Sequence, residues 1–246
     1  MTPQATLEKM QKMKLTGMAH AFAVTLNTGF AHNLTAEELL AHLLDAEWDE
    51  RYNRKLARLL KAANFRYQAT FEHIHFPPQR QLDKNLIVRL STCDWIAKRE
   101  NLLLTGATGV GKSFLACALG HQACLLGFKV IYASATKLFP KLKFAKADGS
   151  YSKELLKLQK QDLLIVDDFG LHPLEEQSKL ILLELLEDRY GRQATLIASQ
   201  FPPGKWYELI DSPTLADAIC DRLIHNACQI ELKGESMRKK AKNDSG

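Results

Sequence analysis

The chain has 246 residues, 46% hydrophobic and 25% charged, which is typical of a globular protein. Its net charge of +5 is weak evidence for an acidic partner, because clustering matters more than the sum. No apolar stretch approaches the roughly 20 residues of a membrane helix, and the amino-terminal segment does not resemble a signal peptide. Five cysteines without a CxxC pair argue against a disulfide framework. We therefore expect a cytoplasmic protein without a membrane partner.

Residues 1–70 are predicted to form a small all-helical domain. Helical periodicity extends from about Ala5 to Phe65, with Gly17 as a candidate break. Thr35 and Glu38 have the spacing of a capping box, which predicts a long helix that starts there and reaches about Ala63. Residues 71–84, which contain two consecutive prolines, are predicted to be a linker.

Residues 85–246 are predicted to form an α/β domain. Short apolar runs alternate with helical patterns, and the runs lie at 101–106, 128–135, 162–168, 194–200 and 228–232. Strands that alternate with helices predict a mainly parallel sheet, here with five strands.

The segment GATGVGKS, residues 106–113, matches the phosphate-binding pattern GxxxxGK[ST]. In such a loop, backbone amides surround phosphate oxygens, Lys112 contributes charge to the β and γ phosphates, and Ser113 offers a hydroxyl to Mg²⁺. A chance glycine-rich turn is the alternative, and the predicted strand before the loop and helix after it disfavour that alternative. The predicted nucleotide-binding residues of this segment are Gly106, Ala107, Thr108, Gly109, Val110, Gly111, Lys112, Ser113 and Phe114.

Two aspartates end the apolar run DLLIVDDFG. A buried strand that ends in an acid places the carboxylate at the edge where open α/β sheets bind ligands. Asp167 is therefore predicted to hold Mg²⁺, and Asp168 to orient or deprotonate the attacking water. The alternative is that both aspartates cap the following helix.

Polar residues elsewhere in the α/β domain are candidates for sensing the nucleotide. Ser199 and Gln200 end a predicted strand and are placed to contact the γ-phosphate, although either could be an ordinary turn residue. Arg222 lies late in a helix and is predicted to complete the ATP site of a neighbouring subunit. A salt-bridged surface arginine is the alternative for Arg222.

Two basic segments are candidates for DNA contact. Residues 51–66 contain six basic residues and no acid, which favours contact with a phosphate backbone over an ordinary solvated helix face. Docking to an acidic partner or a second subunit remains open for this segment, and a solvated face remains open for the lysine-rich segment 137–160. The predicted DNA-contacting residues are Arg51, Arg54, Lys55, Arg58, Lys61, Lys137, Lys141, Lys143 and Lys146.

The motifs, in this order, resemble the core of AAA+ ATPases, and the flanking phrases resemble the IstB-like helper ATPases of bacterial insertion sequences, relatives of DnaC and DnaA. Those phrases are KLTGMAHAF, ERYNRKLARLLKAANF and PTLADAICDRLIHNACQIELKGESMRK. The resemblance implies a Mg²⁺-dependent ATPase that assembles as an oligomer on double-stranded DNA and stimulates a transposase. Neither basic segment contains a base-reading motif, so we expect little sequence preference in the DNA contact. The resemblance assigns Lys112 and Ser113 to ATP and Mg²⁺, Asp167 to Mg²⁺, and Arg238 to the nucleotide. Asp168 stands where many AAA+ proteins have glutamate.

Three other functions remain open from the sequence. A DnaC-like helicase loader would use the same ATPase with a different partner. A P-loop kinase for small molecules would need an arginine-rich lid, and no such segment follows the core. A nucleotide switch that clamps DNA without hydrolysis remains open because Asp168 is one methylene shorter than glutamate.

Overall fold

The computed structural model describes residues 2–29 and 34–237. The chain divides into two compact units, Met1–Arg58 and Leu59–Gly246, with the boundary inside a long helix. The domain limits expected at residues 70 and 84 stay predictions.

The first unit contains helices α1 (Pro3–Lys12) and α2 (Thr16–Asn27) and most of α3 (Ala36–Ala63). The break between α1 and α2 lies at residues 13–15, where Lys14 has a φ of 60°, and not at Gly17. Gly17 instead lies within α2. A β-carbon there would stand 2.2 Å from the carbonyl oxygen of Ala46, so glycine allows α2 to approach α3 closely.

The capping box expected before α3 is present. The amide of Glu38 donates to the Thr35 hydroxyl at 3.2 Å, and the amide of Thr35 donates to the Glu38 carboxylate at 2.8 Å. The hydrogen bond from the Thr35 amide lowers the pKa of Glu38, because it stabilises the charged form. The helix that follows ends at Ala63, as its periodicity predicted.

The segment between α3 and the sheet contains short helices as well as loops. Single 3₁₀ turns lie at Phe71–His73 and Pro78–Arg80, and they precede helices α4 (Lys84–Ser91) and α5 (Asp94–Ala97). Asp83 caps α4, since its carboxylate accepts the amide of Asn85 at 2.8 Å. This segment passes beside the carboxyl edge of the sheet and contributes side chains to the site described below.

The five predicted strands are present and form one parallel sheet in the order β2-β3-β4-β1-β5. The strands are β1 (Asn101–Thr105), β2 (Val130–Ser134), β3 (Leu163–Phe169), β4 (Ala194–Ser199) and β5 (Ala227–Glu231). The helices between them are α6 (Lys112–Leu125), α7 (Ala135–Asp148), α8 (Tyr151–Gln159), α9 (Glu176–Arg189), α10 (Trp206–Ile210) and α11 (Pro213–Ile224).

The middle strands are buried on both faces. Leu102, Leu103 and Leu104 of β1 are fully buried, as are Leu163, Leu164 and Ile165 of β3. Near-continuous apolar runs are the expected sequence of parallel strands that helices cover on both sides. The chain leaves β1 for a strand on the far side of β4, and this change of direction creates a crevice at the carboxyl edge.

Neither a membrane helix nor a disulfide is found in the described part of the chain. No helix within residues 2–29 and 34–237 is both long and apolar enough to span a bilayer. The five cysteines are free thiols, and burial raises the pKa of Cys117 to about 11.

Candidate nucleotide site at the carboxyl edge of the sheet

The loop 106–111 joins the end of β1 to the start of α6. Gly106 has a φ of 135°, and a β-carbon there would stand 2.1 Å from the carbonyl oxygen of Leu232. Only glycine combines that backbone angle with so close an approach. The loop amides and the first turn of α6 therefore face a common space, as a phosphate-binding loop requires.

Lys112 is the first residue of α6 and is 8% exposed. Its ammonium group donates to the carbonyl oxygens of Gly106 at 2.7 Å and Ala107 at 2.9 Å. The side chain thus folds back over the loop, and the charge is held within the space that the loop encloses. Ser113 and Phe114 follow it and line the same space.

Asp167 is 1% exposed and both of its carboxylate oxygens accept hydrogen bonds. The Tyr132 hydroxyl donates to Oδ2 at 2.6 Å, and the amide of Asp168 donates to Oδ1 at 2.8 Å. Burial and the neighbouring carboxylate together raise the pKa of Tyr132, so this hydroxyl remains a donor. The tyrosine lies on β2 and fixes the orientation of the Asp167 carboxylate on the neighbouring strand β3.

Asp168 adopts the left-handed conformation, with a φ of 57°. This conformation is unusual for a residue with a side chain and turns the carboxylate out of the strand. Its Oδ2 accepts from Arg66 Nη1 at 3.1 Å and from Ser134 Oγ at 3.3 Å. The two aspartates are therefore held in different ways, Asp167 by buried neutral donors and Asp168 by a partly exposed cation.

The structure places Arg66 away from the basic helix segment with which the sequence groups it. The basic residues of the segment 51–66 are expected to share one helix face, but α3 ends at Ala63 and Asn64 has a φ of 53°. Arg66 consequently leaves the helix face and lies against both aspartates, with Nη1 3.9 Å from Asp167 Oδ2. No local pattern identifies this role.

The two candidate sensor residues have different surroundings. Ser199 is fully buried, and its hydroxyl donates to the carbonyl oxygen of Phe169 at 2.9 Å and accepts from the amide of Phe201 at 3.1 Å. These bonds tie the ends of β3 and β4 together. Gln200, one residue later, lines the cavity with Lys112 and Asp168. The structure therefore brings Gln200, but not Ser199, to the site.

A cavity of about 450 Å³ joins these elements. Of the predicted residues, its lining includes Thr108, Gly109, Gly111, Lys112, Ser113, Phe114, Asp168 and Gln200. The sequence interpretation missed the other lining residues, Tyr67, His73, His75, Arg80, Ala198 and Met237. Most of these come from the segment 64–83, which has neither helical nor strand periodicity, so nothing in the sequence linked them to the loop. Arg238, a predicted nucleotide contact, lies outside the described residues.

Arg222 lies at the opposite edge of the sheet. Its carbonyl oxygen accepts from Asn101 Nδ2 at 2.9 Å, and Asn101 is the first residue of β1. The phosphate-binding loop follows the other end of this five-residue strand, roughly 16 Å away at the usual rise per residue. Arg222 Nη2 pairs with Glu187 at 2.7 Å. The arginine is therefore far from the aspartates of its own chain.

The predicted DNA contacts in α3 are partly neutralised by acids one helical turn earlier. Arg51 pairs with Glu47 at 2.7 Å, and Arg54 pairs with Glu50 at 2.9 Å. Both acids lie just before residue 51, so a count of charges within the segment 51–66 does not include them. The structure records no ion pair, within residues 2–29 and 34–237, for Lys55, Arg58 or Lys61.

The lysines of α7 also have neighbours. Lys141 pairs with Glu154 at 2.6 Å, Lys143 pairs with Glu175, and Lys146 lies 4.5 Å from the centre of the Tyr151 ring. A second cavity, of about 790 Å³, includes Asp168 in its lining, as the first does. The structure brings five basic residues together in this cavity, namely Lys61, Arg66, Lys137, Lys141 and Lys157.

Comparison with known proteins gives the family. The profile described as IstB-like ATP binding protein matches residues 8–245. An insertion sequence ATP-binding protein of Sinorhizobium fredii is 47% identical over 245 residues, which is 100% of both chains.

Two solved structures share the fold. The crystal structure of the DnaC helicase loader superimposes with a TM-score of 0.60 at 18% identity and covers 68% of this chain and 98% of that one. AMPPCP-bound DnaA from Aquifex aeolicus superimposes with a TM-score of 0.59 at 19% identity and covers 74% of this chain and 56% of that one. At such identities the likeness establishes the AAA+ fold alone. The full-length sequence match establishes more, and the chain belongs to the family of IstB-like ATP-binding proteins encoded by insertion sequences.

Proposed function

We propose that this protein is an ATP-hydrolysing regulator that assembles on double-stranded DNA and stimulates the transposase of its insertion sequence. The observation that carries the proposal is one cavity in which the phosphate-binding loop, Lys112, Ser113 and Asp168 meet, in a chain that matches insertion sequence ATP-binding proteins along its full length. Such a protein has an ATP-bound state and, after hydrolysis, an ADP-bound state. The change from one to the other would control its assembly on DNA and its release.

The hydrolysis step is assigned to residues of this chain. Lys112, which donates to two loop carbonyls, would exchange these acceptors for β- and γ-phosphate oxygens and balance their charge. Asp168 would orient the attacking water and accept its proton, because its partly exposed carboxylate faces the cavity. Gln200 would donate a hydrogen bond to the γ-phosphate.

The donor groups at the site fit Mg²⁺. Ser113 lines the cavity and would offer its hydroxyl to the ion. Asp167 is 1% exposed and lies outside the cavity lining, so its carboxylate would act through a water of the ion. No group of three or more His, Cys, Asp or Glu side chains within residues 2–29 and 34–237 is placed to hold a metal. Mg²⁺ needs no such group, since it keeps several waters and takes further ligands from the phosphates. When bound, the ion would neutralise phosphate charge.

The second cavity is our proposed position for DNA beside the ATPase core. Lys61, Lys137 and Lys157 line it, and the only acids among its lining residues, Glu154 and Asp168, are each paired with a basic residue. An unbalanced cluster of lysines attracts a phosphate backbone without reading its bases. Lys55 and Arg58 of α3 are proposed as further backbone contacts.

Self-association would complete the site. Arg222 is about one strand length from its own phosphate-binding loop, so its guanidinium can serve a nucleotide only in another copy of the chain. In that role it would leave Glu187 and stabilise the charge that develops during hydrolysis. We infer an oligomer in which each ATP site lies at a boundary between subunits.

The partner is tested by co-purification. The tagged protein, loaded with ATP and duplex DNA, is mixed with the transposase of the same insertion sequence and, separately, with a replicative helicase from the same host. We expect retention of the transposase that depends on ATP, and little retention of the helicase. Selective retention of the helicase would replace our proposal with a helicase-loading function.

A further inference from the structure

Arg80 is a buried cation at the nucleotide cavity. It is 5% exposed and lies at the end of the turn Pro78–Arg80, in the segment where no functional residue was expected. Its Nη1 donates to the carbonyl oxygen of His75 at 2.7 Å, and its Nη2 donates to the carbonyl oxygen of Val110 at 3.0 Å. Because Val110 belongs to the phosphate-binding loop, the guanidinium is tied directly to that loop.

The charge of Arg80 has no anionic partner in the part of the chain that the structure describes. Its two hydrogen-bond acceptors are neutral carbonyl oxygens, and its buried Nε–H has no acceptor. Burial also lowers the pKa of the guanidinium, though an arginine remains charged at neutral pH. A buried cation without a counter-ion costs several kcal/mol, so each such group calls for an explanation.

The surroundings hold the guanidinium close to the loop. A β-carbon on Gly111 would stand 2.6 Å from Arg80 Nη2, so glycine at this position makes room for the arginine. The amide of Lys233 donates to the carbonyl oxygen of Arg80 at 3.3 Å, and the amide of Met237 donates to that of Gly109 at 3.0 Å. The end of the described chain thus supports both the arginine and the loop.

We propose that Arg80 binds the phosphate chain of the nucleotide, as a second cation beside Lys112. This proposal rests on the nucleotide site proposed above and adds to it a residue that no phosphate-binding pattern contains. The ligand would supply the anion that the buried guanidinium lacks, and the Nε–H would gain an acceptor. A forked guanidinium suits this purpose, since it offers several donors in a fixed plane.

A purely structural role for Arg80 makes a different prediction. If its two hydrogen bonds only held residues 75–80 against the loop, its loss would distort the whole cavity. Binding of a nucleoside and of its phosphorylated form would then weaken together. A phosphate contact predicts that binding of the phosphorylated ligand weakens and that binding of the nucleoside does not.

The test uses the full-length chain and two ligands, ADP and adenosine, each titrated in competition with a fluorescent ADP analogue. For Arg80→Gln we expect the Kd of ADP to rise about 10- to 100-fold, the value of one charge-assisted hydrogen bond. The Kd of adenosine should stay within about twofold of the wild type, since it has no phosphate. Arg89→Gln is the control, because Arg89 is exposed on α4 and does not line the cavity.

The Kd of ADP divided by the Kd of adenosine decides the outcome. An unchanged ratio in Arg80→Gln, whether both affinities fall or neither does, would overturn the proposal. If Arg80→Gln does not fold, Arg80→Lys decides, and the Kd of ADP divided by the Kd of adenosine must then rise at least about threefold, because lysine lacks the fork. If the wild type does not bind ADP, the proposed nucleotide site itself is wrong. If the wild type binds ADP and Arg80→Gln binds it equally well, only the role of Arg80 is wrong.

Discussion

Arg66 Nη1 lies 3.1 Å from Asp168 Oδ2, although the two residues are 102 positions apart in the sequence. The ion pair engages one oxygen of the carboxylate that is proposed to accept the proton of the attacking water. Arg66 is 41% and Asp168 28% exposed at the side chain, so the pair is accessible to solvent and can open. We infer that the ion pair keeps the Asp168 carboxylate from accepting a proton until Arg66 moves away from it.

The Arg66→Gln variant tests this role. Because glutamine leaves Asp168 Oδ2 without a cation, we expect DNA-independent ATP turnover to rise about two- to tenfold, a small part of the roughly 10²- to 10⁴-fold that a general base contributes as a whole. Turnover is measured by phosphate release at saturating ATP. Arg192→Gln is the control, since Arg192 is exposed and precedes the opposite edge of the sheet. Lower turnover in Arg66→Gln would mean that the arginine assists hydrolysis.

The Lys112→Ala variant removes the cation that is held over the loop. We expect no nucleotide-dependent assembly, because the β- and γ-phosphates lose their charge partner. Light scattering with and without ATP measures assembly. The exposed Lys129, immediately before β2, provides the control Lys129→Ala, which should assemble like the wild type. Normal assembly of Lys112→Ala would show that Lys112 is not needed for the nucleotide to promote assembly.

The Asp168→Asn variant separates binding from chemistry. Asparagine tolerates the left-handed conformation that residue 168 adopts, so the backbone should be preserved. An amide cannot accept the proton, and we expect turnover to fall about 10²- to 10⁴-fold while the Kd of ATP changes little. Turnover equal to that of the wild type would exclude Asp168 as the base.

The Arg222→Ala variant tests the site between subunits. We expect it to bind ATP but to hydrolyse it about 10³-fold more slowly, as for other arginines that act in trans. Mixing it with Lys112→Ala should restore part of the activity, because some boundaries then combine an intact loop with an intact arginine. Glu187→Gln is the control, since it breaks the ion pair but keeps the arginine. If light scattering shows that the two variants assemble together and the mixture still stays inactive, Arg222 does not act across subunits.

Charge reversal on α3 tests the DNA contact. Arg54 is already paired with Glu50, whereas no ion pair is recorded for Lys55 and Arg58 in the described residues. We therefore expect Lys55→Glu with Arg58→Glu to weaken DNA binding more than Arg54→Glu does. The slope of log K against log salt should fall by roughly 1.8, or about 0.9 for each lost phosphate contact. Equal slopes would favour docking of a protein partner to this face.

Features that depend on local sequence were predictable. The phosphate-binding loop needs glycines and a lysine at fixed spacing, and the capping box at Thr35 needs two residues three positions apart. The five strands follow from apolar runs, since parallel strands are buried on both faces. The ion pairs of Arg51 and Arg54 could also be predicted from the sequence, because Glu47 and Glu50 precede these arginines by one helical turn.

Features that depend on tertiary packing were not predictable. Arg66 and Arg80 reach the site from a segment without periodicity, and only the folded chain places them beside the aspartates and the loop. The hydroxyl of Ser199 is bonded to the neighbouring strand, a direction that the sequence does not encode. Side-chain direction at a strand end depends on what packs there, so the pattern alone pointed equally to Ser199 and Gln200.

In the proposed function, ATP and DNA act together on this protein. This is tested by measuring ATP turnover with and without duplex DNA, together with particle size in ATP and in ADP. We expect duplex DNA to raise turnover and ATP, but not ADP, to produce a larger assembly, with Asp168→Asn assembling without turnover. If DNA and ATP together produced neither assembly nor faster hydrolysis, the proposed function would be wrong.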